Sequence, residues 1–119
     1  MDIVAPGDAE EWVETTAAVG PHAFALRVRG DSMTNPDDRR SIPDGAIVIC
    51  DPGAVGPLEA LHNRIVVAKL TGEQQATLKL LWFDGAKPWL KPLNPRYPML
   101  ACPPDTRIVA VAKRVEIDL

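Results

Sequence analysis

The sequence predicts one mainly β domain of short, twisted, mostly antiparallel strands. Twelve prolines and eight glycines are scattered along the 119 residues, and these two residue types disfavour long helices and form turns. Between the turns, apolar residues either alternate with polar ones or form short apolar runs, which is the pattern of strands. Apolar residues make up 46% of the chain, enough for a packed core, and the length suits a single domain.

The first 21 residues show no regular pattern. They are acidic, and Trp12 and Val13 are their only sizeable apolar pair. We therefore expect residues 1–21 to form an arm that lies over the domain, and residues 22–119 to form the domain itself.

The first strand begins at Phe24. Apolar residues at positions 24, 26 and 28 alternate with other types, which is the period-two pattern of a half-buried strand. The strand ends at Gly30-Asp31-Ser32-Met33, and residues 34–40 are polar. Ser41-Ile42-Pro43-Asp44-Gly45 has proline and glycine where a turn requires them. Residues 47–50 are a continuous apolar run and predict a strand that is buried on both faces.

Four further strands are expected along the rest of the chain. A hairpin joins residues 65–70 to residues 76–83, and Asp84-Gly85 turns the chain into a strand at residues 89–91. The following segment, Pro92-Leu93-Asn94-Pro95-Arg96-Tyr97-Pro98, is too rich in proline for ladder pairing, so we expect an extended loop there. The last strand covers residues 108–115.

Charge and hydropathy exclude several classes of function. The net charge is −3, whereas a domain that holds DNA by its phosphates has a surplus of basic residues. Any contact with operator DNA is therefore expected to need residues outside this sequence. No apolar run approaches the roughly 20 residues that span a bilayer, and the N-terminus lacks the pattern of a signal peptide, so we expect a cytoplasmic protein.

The cysteines and histidines form no ligand or redox pattern. Cys50 and Cys102 are far apart in the sequence, and we expect reduced thiols rather than a disulfide. His22 and His62 are expected in loops or at the surface. The sequence thus predicts neither a metal nor a cofactor.

Ser32 and a lysine are the candidate catalytic pair. Ser32 lies at the end of a strand, where a side chain can project from a tight turn, although most serines in such turns take no part in catalysis. No histidine lies near it in sequence, so its base would have to be another residue type, and Ser–Lys dyads are a recognised variant. An apolar strand disfavours the ammonium form of lysine, and a neutral amine can accept the serine proton. Periodicity nominates Lys79 and Lys69 alike, and a lysine with its head group in water is the alternative for each.

Several segments resemble, in the same order, the LexA/UmuD/lambda-repressor family of self-cleaving proteins with S24-type peptidase domains. Each segment is weak alone, but the ordered set is specific and covers most of residues 22–115. Residues 90–98 and 108–111 resemble the phage-repressor branch in particular. The matching segments are Phe24-Ala25-Leu26-Arg27-Val28-Arg29-Gly30-Asp31-Ser32-Met33, Ser41-Ile42-Pro43-Asp44-Gly45, Val48-Ile49-Cys50-Asp51-Pro52, Ile65-Val66-Val67-Ala68, Ala76-Thr77-Leu78-Lys79, Leu90-Lys91-Pro92-Leu93-Asn94-Pro95-Arg96-Tyr97-Pro98 and Ile108-Val109-Ala110-Val111.

This resemblance implies a LexA-like C-terminal catalytic domain. Ser32 matches the family's nucleophile and Lys79 its general base, whereas Lys69 falls in a strand where the family requires no lysine and is expected at the surface. In the family, this pair cuts one peptide bond in the segment that links a DNA-binding half to the catalytic half. The backbone N–H groups of Ser32 and Met33 are the expected donors to the oxyanion, and the Met33 side chain is expected to pack beneath the nucleophile.

Two features of the family have no counterpart in this sequence. One is the N-terminal helix-turn-helix, and the other is a scissile Ala-Gly or Cys-Gly upstream of the domain. Residues 5–12 resemble sequence that follows the cut in phage repressors. We therefore expect a post-cleavage fragment, or a chain that begins beyond the cleavage site, which has the active site without its own substrate.

The resemblance favours the C-terminal domain of a prophage-type repressor that cleaves itself in the SOS response and mediates dimerisation. The expected partners are a second copy, paired through residues 108–115, and either a RecA–single-stranded DNA filament as co-protease or an antirepressor. One alternative is a non-enzymatic dimerisation module induced by an antirepressor. Another is a UmuD-like polymerase accessory subunit, against which residues 92–98 argue. Signal peptidases use a related dyad but need a membrane anchor, of which this sequence shows no sign.

Overall fold

The computed structural model describes residues 21–70, 72–73 and 75–118, and it confirms the predicted mainly β fold. Two short 3-10 turns, Pro52–Ala54 and Leu58–Leu61, lie between the second and third strands. The arm expected at residues 1–21 falls, apart from Pro21, outside the described residues. The seven strands are β1 (Phe24–Arg27), β2 (Ile47–Asp51), β3 (Arg64–Lys69), β4 (Ala76–Asp84), β5 (Lys87–Lys91), β6 (Leu100–Ala101) and β7 (Arg107–Glu116).

All seven strands belong to one sheet in the order β1-β2-β7-β3-β4-β5-β6. Each neighbouring pair is antiparallel, as expected. The strands from β3 to β6 follow one another in sequence and in space, whereas β7 returns to the middle and pairs with β2 on one side and β3 on the other. This last strand therefore joins the two parts of the sheet.

The central position of β7 corrects the expectation that residues 108–115 offer an edge to a second subunit. Between Arg107 and Val111, β7 pairs with β3, and from Val111 onward it pairs with β2. Val111 is the residue that pairs with both neighbours, and each half of β7 is paired on one side only among the described strands. The unpaired side of β7 changes at Val111, so residues 108–115 do not offer one continuous edge to another chain.

Two irregularities in β7 accompany its change of partner. The register with β3 shifts at Val109, and the register with β2 shifts at Lys113. Each of these two residues is inserted into β7 without a paired residue on the neighbouring strand, which is a β-bulge. Such bulges bend a strand and increase its twist. One consequence is that Val109 and Ala110 both pack on the same core, which simple alternation would not allow.

The sheet is buried on both faces. In β3, Ile65 and Val67 pack in a first core, while the intervening Val66 and Ala68 pack in a second core. The first core also contains Leu26, Val28, Met33, Ile42, Ala46, Val48, Cys50, Ala76, Leu78, Leu80, Leu93 and Ala110. The second core also contains Leu61, Leu81, Leu90 and Val111. Burial on both faces explains why the central strands are read as continuous apolar runs.

The sequence patterns located six strands to within a few residues and missed β6. Leu100 and Ala101 are both exposed, so this two-residue strand shows no alternation of apolar and polar residues. It pairs with Trp89 and Leu90 of β5 at the edge of the sheet. Among the described segments, no helix has the length and apolar character needed to cross a bilayer.

The two cysteines are free thiols in different environments. Cys50 is fully buried in the first core, and desolvation raises the pKa of its thiol to about 12. Cys102 is half-buried beside the second core. No disulfide joins them, in agreement with the sequence-based expectation.

This difference predicts selective thiol labelling in the folded chain. A thiol reagent at pH 8 should modify Cys102 first, because the thiolate is the reactive form and Cys50 is both neutral and inaccessible. Counting labelled thiols by mass spectrometry, with and without denaturant, measures the difference. The Cys102→Ser variant should then show no fast-reacting thiol, and equal rates for both cysteines in the native wild type would contradict the described packing of Cys50.

Candidate active site

Ser32 lies in a β-turn that is fastened to the first core. Thr34 N donates to Asp31 O at 3.0 Å, so Ser32 and Met33 occupy the two central positions of the turn. Ser32 is only 4% exposed, and the Met33 side chain is completely buried. The backbone N–H of Ile42 donates to Met33 O at 2.8 Å, which ties the turn to the segment before β2. We call residues 31–34 the nucleophile turn.

Gly30 connects β1 to the nucleophile turn through a backbone conformation that favours glycine. Its φ is 88°, in the left-handed region where a side chain would be strained. Its N–H donates to Oδ1 of Asp44 at 2.7 Å, and Asp44 belongs to the turn predicted at residues 41–45. The two motifs that the sequence showed separately are therefore joined directly.

Lys79 reaches Ser32 from the middle of β4. Its Nζ donates to Ser32 Oγ at 3.3 Å, although the two residues are 47 positions apart. Along β4, Leu78 and Leu80 enter the first core, so the residues between them alternate to the other side of the strand. One face of β4 thus contributes side chains to the first core, and the opposite face carries the Lys79 amine.

The surroundings of the Lys79 amine are more polar than the sequence indicated. Nζ also donates to Thr77 Oγ1 at 2.8 Å and to the carbonyl oxygen of Leu78 at 3.2 Å. Lys79 is half-buried rather than enclosed in an apolar pocket. The amine is therefore held in place by oxygen acceptors on its own strand, with Ser32 Oγ as the acceptor from a distant segment.

Lys69, the competing lysine, is exposed at the end of β3. It pairs with Ala76, whereas Lys79 pairs with Val66, so the two lysines lie at different levels of the β3–β4 ladder. The structure thus brings Lys79 to Ser32 and places Lys69 at the surface.

The loop at residues 92–98 holds the nucleophile turn through Asn94, which the sequence did not single out. Asn94 N donates to Ser32 O and Asn94 Nδ2 donates to Asp31 O, both at 2.9 Å. The hydroxyl of Tyr97 also donates to the carboxylate of Asp31. We call residues 92–98 the proline loop. Its sequence resemblance to phage repressors was the only signal that pointed to it.

The expected oxyanion donors lie in the same turn. The hydrogen bonds of the nucleophile turn use the carbonyl groups of Asp31, Ser32 and Met33. Within the described part of the chain, the N–H groups of Ser32 and Met33 have no hydrogen-bond acceptor. These two N–H groups lie in the same turn as the Ser32 hydroxyl.

The histidines lie away from this arrangement, and the described residues contain no group of three or more His, Cys, Asp or Glu side chains that could hold a metal. His62 is exposed, accepts a hydrogen bond from Phe83 N at 2.9 Å through Nδ1, and packs on the ring of Trp82 with centroids 4.4 Å apart. His22 is exposed near the start of the described residues. Neither contacts Ser32.

Comparisons with known proteins agree with the fold and the sequence motifs. A family model described as peptidase S24-like matches residues 3–113. The HTH-type transcriptional regulator for conjugative element SXT of Vibrio cholerae is 43% identical over 111 residues, which are 93% of this chain and 50% of the regulator. Repressor protein C2 of Salmonella phage P22 is 43% identical over 102 residues, which are 86% of this chain and 45% of that repressor.

A more distant relative extends the match to another kind of repressor. The LexA repressor of Methylococcus capsulatus is 31% identical over 108 residues, which are 86% of this chain and 48% of that protein. The chain spans about half the length of the curated relatives it matches.

The contact between Lys79 and Ser32 predicts an effect that can be measured in this chain without any substrate. In a sample with isotope-labelled lysines, Ser32→Ala should shift the NMR signals of the Lys79 side chain, because Nζ loses its hydrogen bond to Oγ. The Lys69 signals should stay in place and serve as the internal control. An unchanged Lys79 spectrum in the folded variant would show that the two side chains do not interact.

Proposed function

This chain belongs to the peptidase S24-like family, in its phage-repressor branch, and from this premise we propose that it is the C-terminal domain of a transcriptional repressor that cleaves its own interdomain linker. We assign residues 22–119 to this peptidase and dimerisation domain. The observation that carries the proposal is the 3.3 Å contact between Lys79 Nζ and Ser32 Oγ. The matches to repressors favour this function over a UmuD-like accessory subunit.

In the proposed reaction, Ser32 is the nucleophile and Lys79 the general base. Ser32 Oγ bonds to the carbonyl carbon of the scissile peptide while its proton moves to the neutral amine of Lys79. The electron pair of the carbonyl double bond moves to the oxygen, where the N–H groups of Ser32 and Met33 would donate hydrogen bonds to the oxyanion. These two donors are proposed because they lie in the same turn as the nucleophile.

Collapse of this intermediate completes the first half of the reaction. The carbonyl double bond forms again, the C–N bond breaks, and the Lys79 ammonium gives its proton to the leaving amine. A water molecule then attacks the acyl ester on Ser32 while Lys79 accepts a proton from it. The C–Oγ bond breaks, Lys79 returns this proton to Ser32 Oγ, and the carboxyl product leaves. Both protein groups return to their starting states, so the cut needs no metal or cofactor.

Thr77 and the Leu78 carbonyl support the proposed role of Lys79 by holding its amine. A long, flexible side chain loses conformational freedom when it is fixed, and hydrogen bonds from Nζ to these two oxygens help to fix it before substrate binds. After one proton is lost, the amine still has donors for both oxygens and a lone pair for the Ser32 proton. The site is thus compatible with a base that works only when neutral.

Self-cleavage would regulate the repressor through dimerisation. Two linked DNA-binding halves on a dimer bind operator DNA with avidity, and a cut in the linker removes the linkage. The net charge of −3 supports operator binding by residues outside this domain. The trigger for the cut would be a RecA–single-stranded DNA filament, and the alternative inducer is an antirepressor.

The second half of β7 is the proposed dimer contact. Among the described strands, Ala112–Glu116 pairs only with β2, so one edge of it is available to another chain. Val115 on this segment and Ile117 directly after it are large apolar residues that are exposed. Antiparallel pairing of two such edges around a twofold axis would bury them symmetrically.

Self-cleavage can be measured in the protein extended upstream through its natural linker. The rate should rise with pH, because only the neutral amine of Lys79 can accept the Ser32 proton. Ser32→Ala and Lys79→Ala should abolish cleavage, which gel electrophoresis and mass spectrometry of the products would measure.

Lys69→Ala is the matched control, since it removes a lysine from the neighbouring strand without touching Ser32, and it should cleave like the wild type. Cleavage that survives Lys79→Ala but not Lys69→Ala would identify the other lysine as the base. No cleavage at any pH, in a protein that still dimerises, would favour the non-enzymatic module.

Dimerisation can be measured on this chain itself. In sedimentation at micromolar concentration the wild type should be a dimer, and Val115→Lys should be a monomer because it places a charge at the proposed contact. Leu100→Lys, which changes an exposed apolar residue on the distant strand β6, should remain a dimer. A monomeric wild type would refute dimerisation through this domain alone.

A further inference from the structure

We propose that Asn94 is a positioning residue that sets the Ser32 hydroxyl against the Lys79 amine. This inference rests on the proposed function, because it concerns the geometry of the same pair. Asn94 touches neither Ser32 Oγ nor Lys79 Nζ, and it acts on the backbone that carries Ser32.

Asn94 holds two consecutive carbonyl groups of the nucleophile turn. Its backbone N–H donates to Ser32 O and its side-chain Nδ2 donates to Asp31 O, each at 2.9 Å. The carbonyl of Asp31 belongs to the peptide before Ser32 and the carbonyl of Ser32 to the peptide after it. Fixing both peptides restricts the rotation of the Ser32 backbone and hence the direction of its Cα–Cβ bond.

The side-chain amide of Asn94 is itself oriented by the proline loop. Arg96 N donates to Asn94 Oδ1 at 3.0 Å, which leaves Nδ2 to face Asp31 O. Tyr97 N donates to Asn94 O at 3.1 Å, so the loop forms a turn around this residue. The reversed amide would place Nδ2 against an N–H group and Oδ1 against a carbonyl, and it is therefore disfavoured. The hydrogen bond to the nucleophile turn has one possible direction.

The proline loop is tied to the segment around the nucleophile at two further points. Asn35 Nδ2 donates to Leu93 O at 3.0 Å, and the Tyr97 hydroxyl donates to the Asp31 carboxylate. Leu93 also packs in the first core, as does Met33 of the nucleophile turn. These contacts hold the loop and the turn as one unit, within which Asn94 is the residue that contacts the backbone on both sides of Ser32.

The burial of Asn94 indicates that this arrangement is specific. Asn94 is 7% exposed, and among the described residues only Ser32 and Asn94 are polar and fully buried. A buried amide is costly unless it is hydrogen-bonded, so its bonds set one conformation. These two residues, the buried polar ones in the part of the chain that the structure describes, are in direct contact at the position where the chemistry is proposed.

Asn94→Asp tests the proposal, since it keeps the size and the Oδ1 acceptor and replaces the Nδ2 donor with a charged oxygen that repels Asp31 O. In the protein extended through its linker, this variant should cleave on the order of 10²-fold more slowly, the effect of a displacement of about 1 Å in an active site. Circular dichroism and denaturant unfolding at the assay temperature give the folded fraction, to which the rate is normalised. Arg96→Ala is the matched control, because it removes an exposed side chain from the same loop and keeps the N–H that orients Asn94.

An NMR measurement on the chain itself separates positioning from simple stability. In a folded Asn94→Asp variant, the Lys79 side-chain signals should move towards those of Ser32→Ala, whereas Arg96→Ala should leave them in place. A normalised cleavage rate within about twofold of the wild type, or unchanged Lys79 signals, would overturn the positioning role. Either result would mean that Ser32 and Lys79 keep their relative geometry without the Asn94 amide. If the wild type does not cleave, the proposed function fails, and the NMR comparison still decides the positioning of Ser32.

Tyr97→Phe keeps the inference testable if Asn94→Asp does not fold. Tyr97 is an exposed residue, so loss of its hydroxyl should preserve the fold while it removes the second tie between the loop and Asp31. The same shift of the Lys79 signals, at smaller amplitude, is expected. Wild-type signals in Tyr97→Phe would then count against control of the dyad by the proline loop.

Discussion

The register between β3 and β4 is the constraint on which the rest of the structure depends. Val66 is opposite Lys79, and the residues on either side of Lys79 enter the first core. Side chains alternate along a strand, so a slip by one residue would turn Leu78 and Leu80 away from the core and turn Lys79 into it. The apolar residues of β4 thus specify the direction of the amine, and the free energy of core packing keeps it beside Ser32.

The site is assembled from three segments that are far apart in sequence. The nucleophile turn follows β1, Lys79 lies in β4, and the proline loop follows β5. The contacts between the three segments join residues that are distant in sequence, so they form only when the sheet has brought the segments together. Met33 is both a side chain of the first core and the neighbour of Ser32 in the chain. A change in the packing around Met33 is therefore expected to displace the Ser32 backbone.

Sequence patterns predicted the strands better than the site. Alternation and apolar runs located six strands, because burial on one face requires alternating apolar residues and burial on both faces requires a continuous apolar run. The strand β6 is short and exposed, so its sequence shows neither pattern. Periodicity could not choose between Lys69 and Lys79, and only the family resemblance did. Asn94 and Thr77 act through hydrogen bonds to backbone carbonyls and to Nζ, and such contacts depend on tertiary distances that no local pattern records.

The return of β7 to the centre of the sheet has a consequence for synthesis on the ribosome. Ser32, Lys79 and Asn94 all emerge before β7, but until residues 107–116 are available the pair β1–β2 has no strand pairing with the strands from β3 to β6. The nucleophile turn belongs to the first group and the lysine strand to the second. We therefore expect a nascent chain that already contains every residue of the site to assemble it stably only after the last strand has been translated.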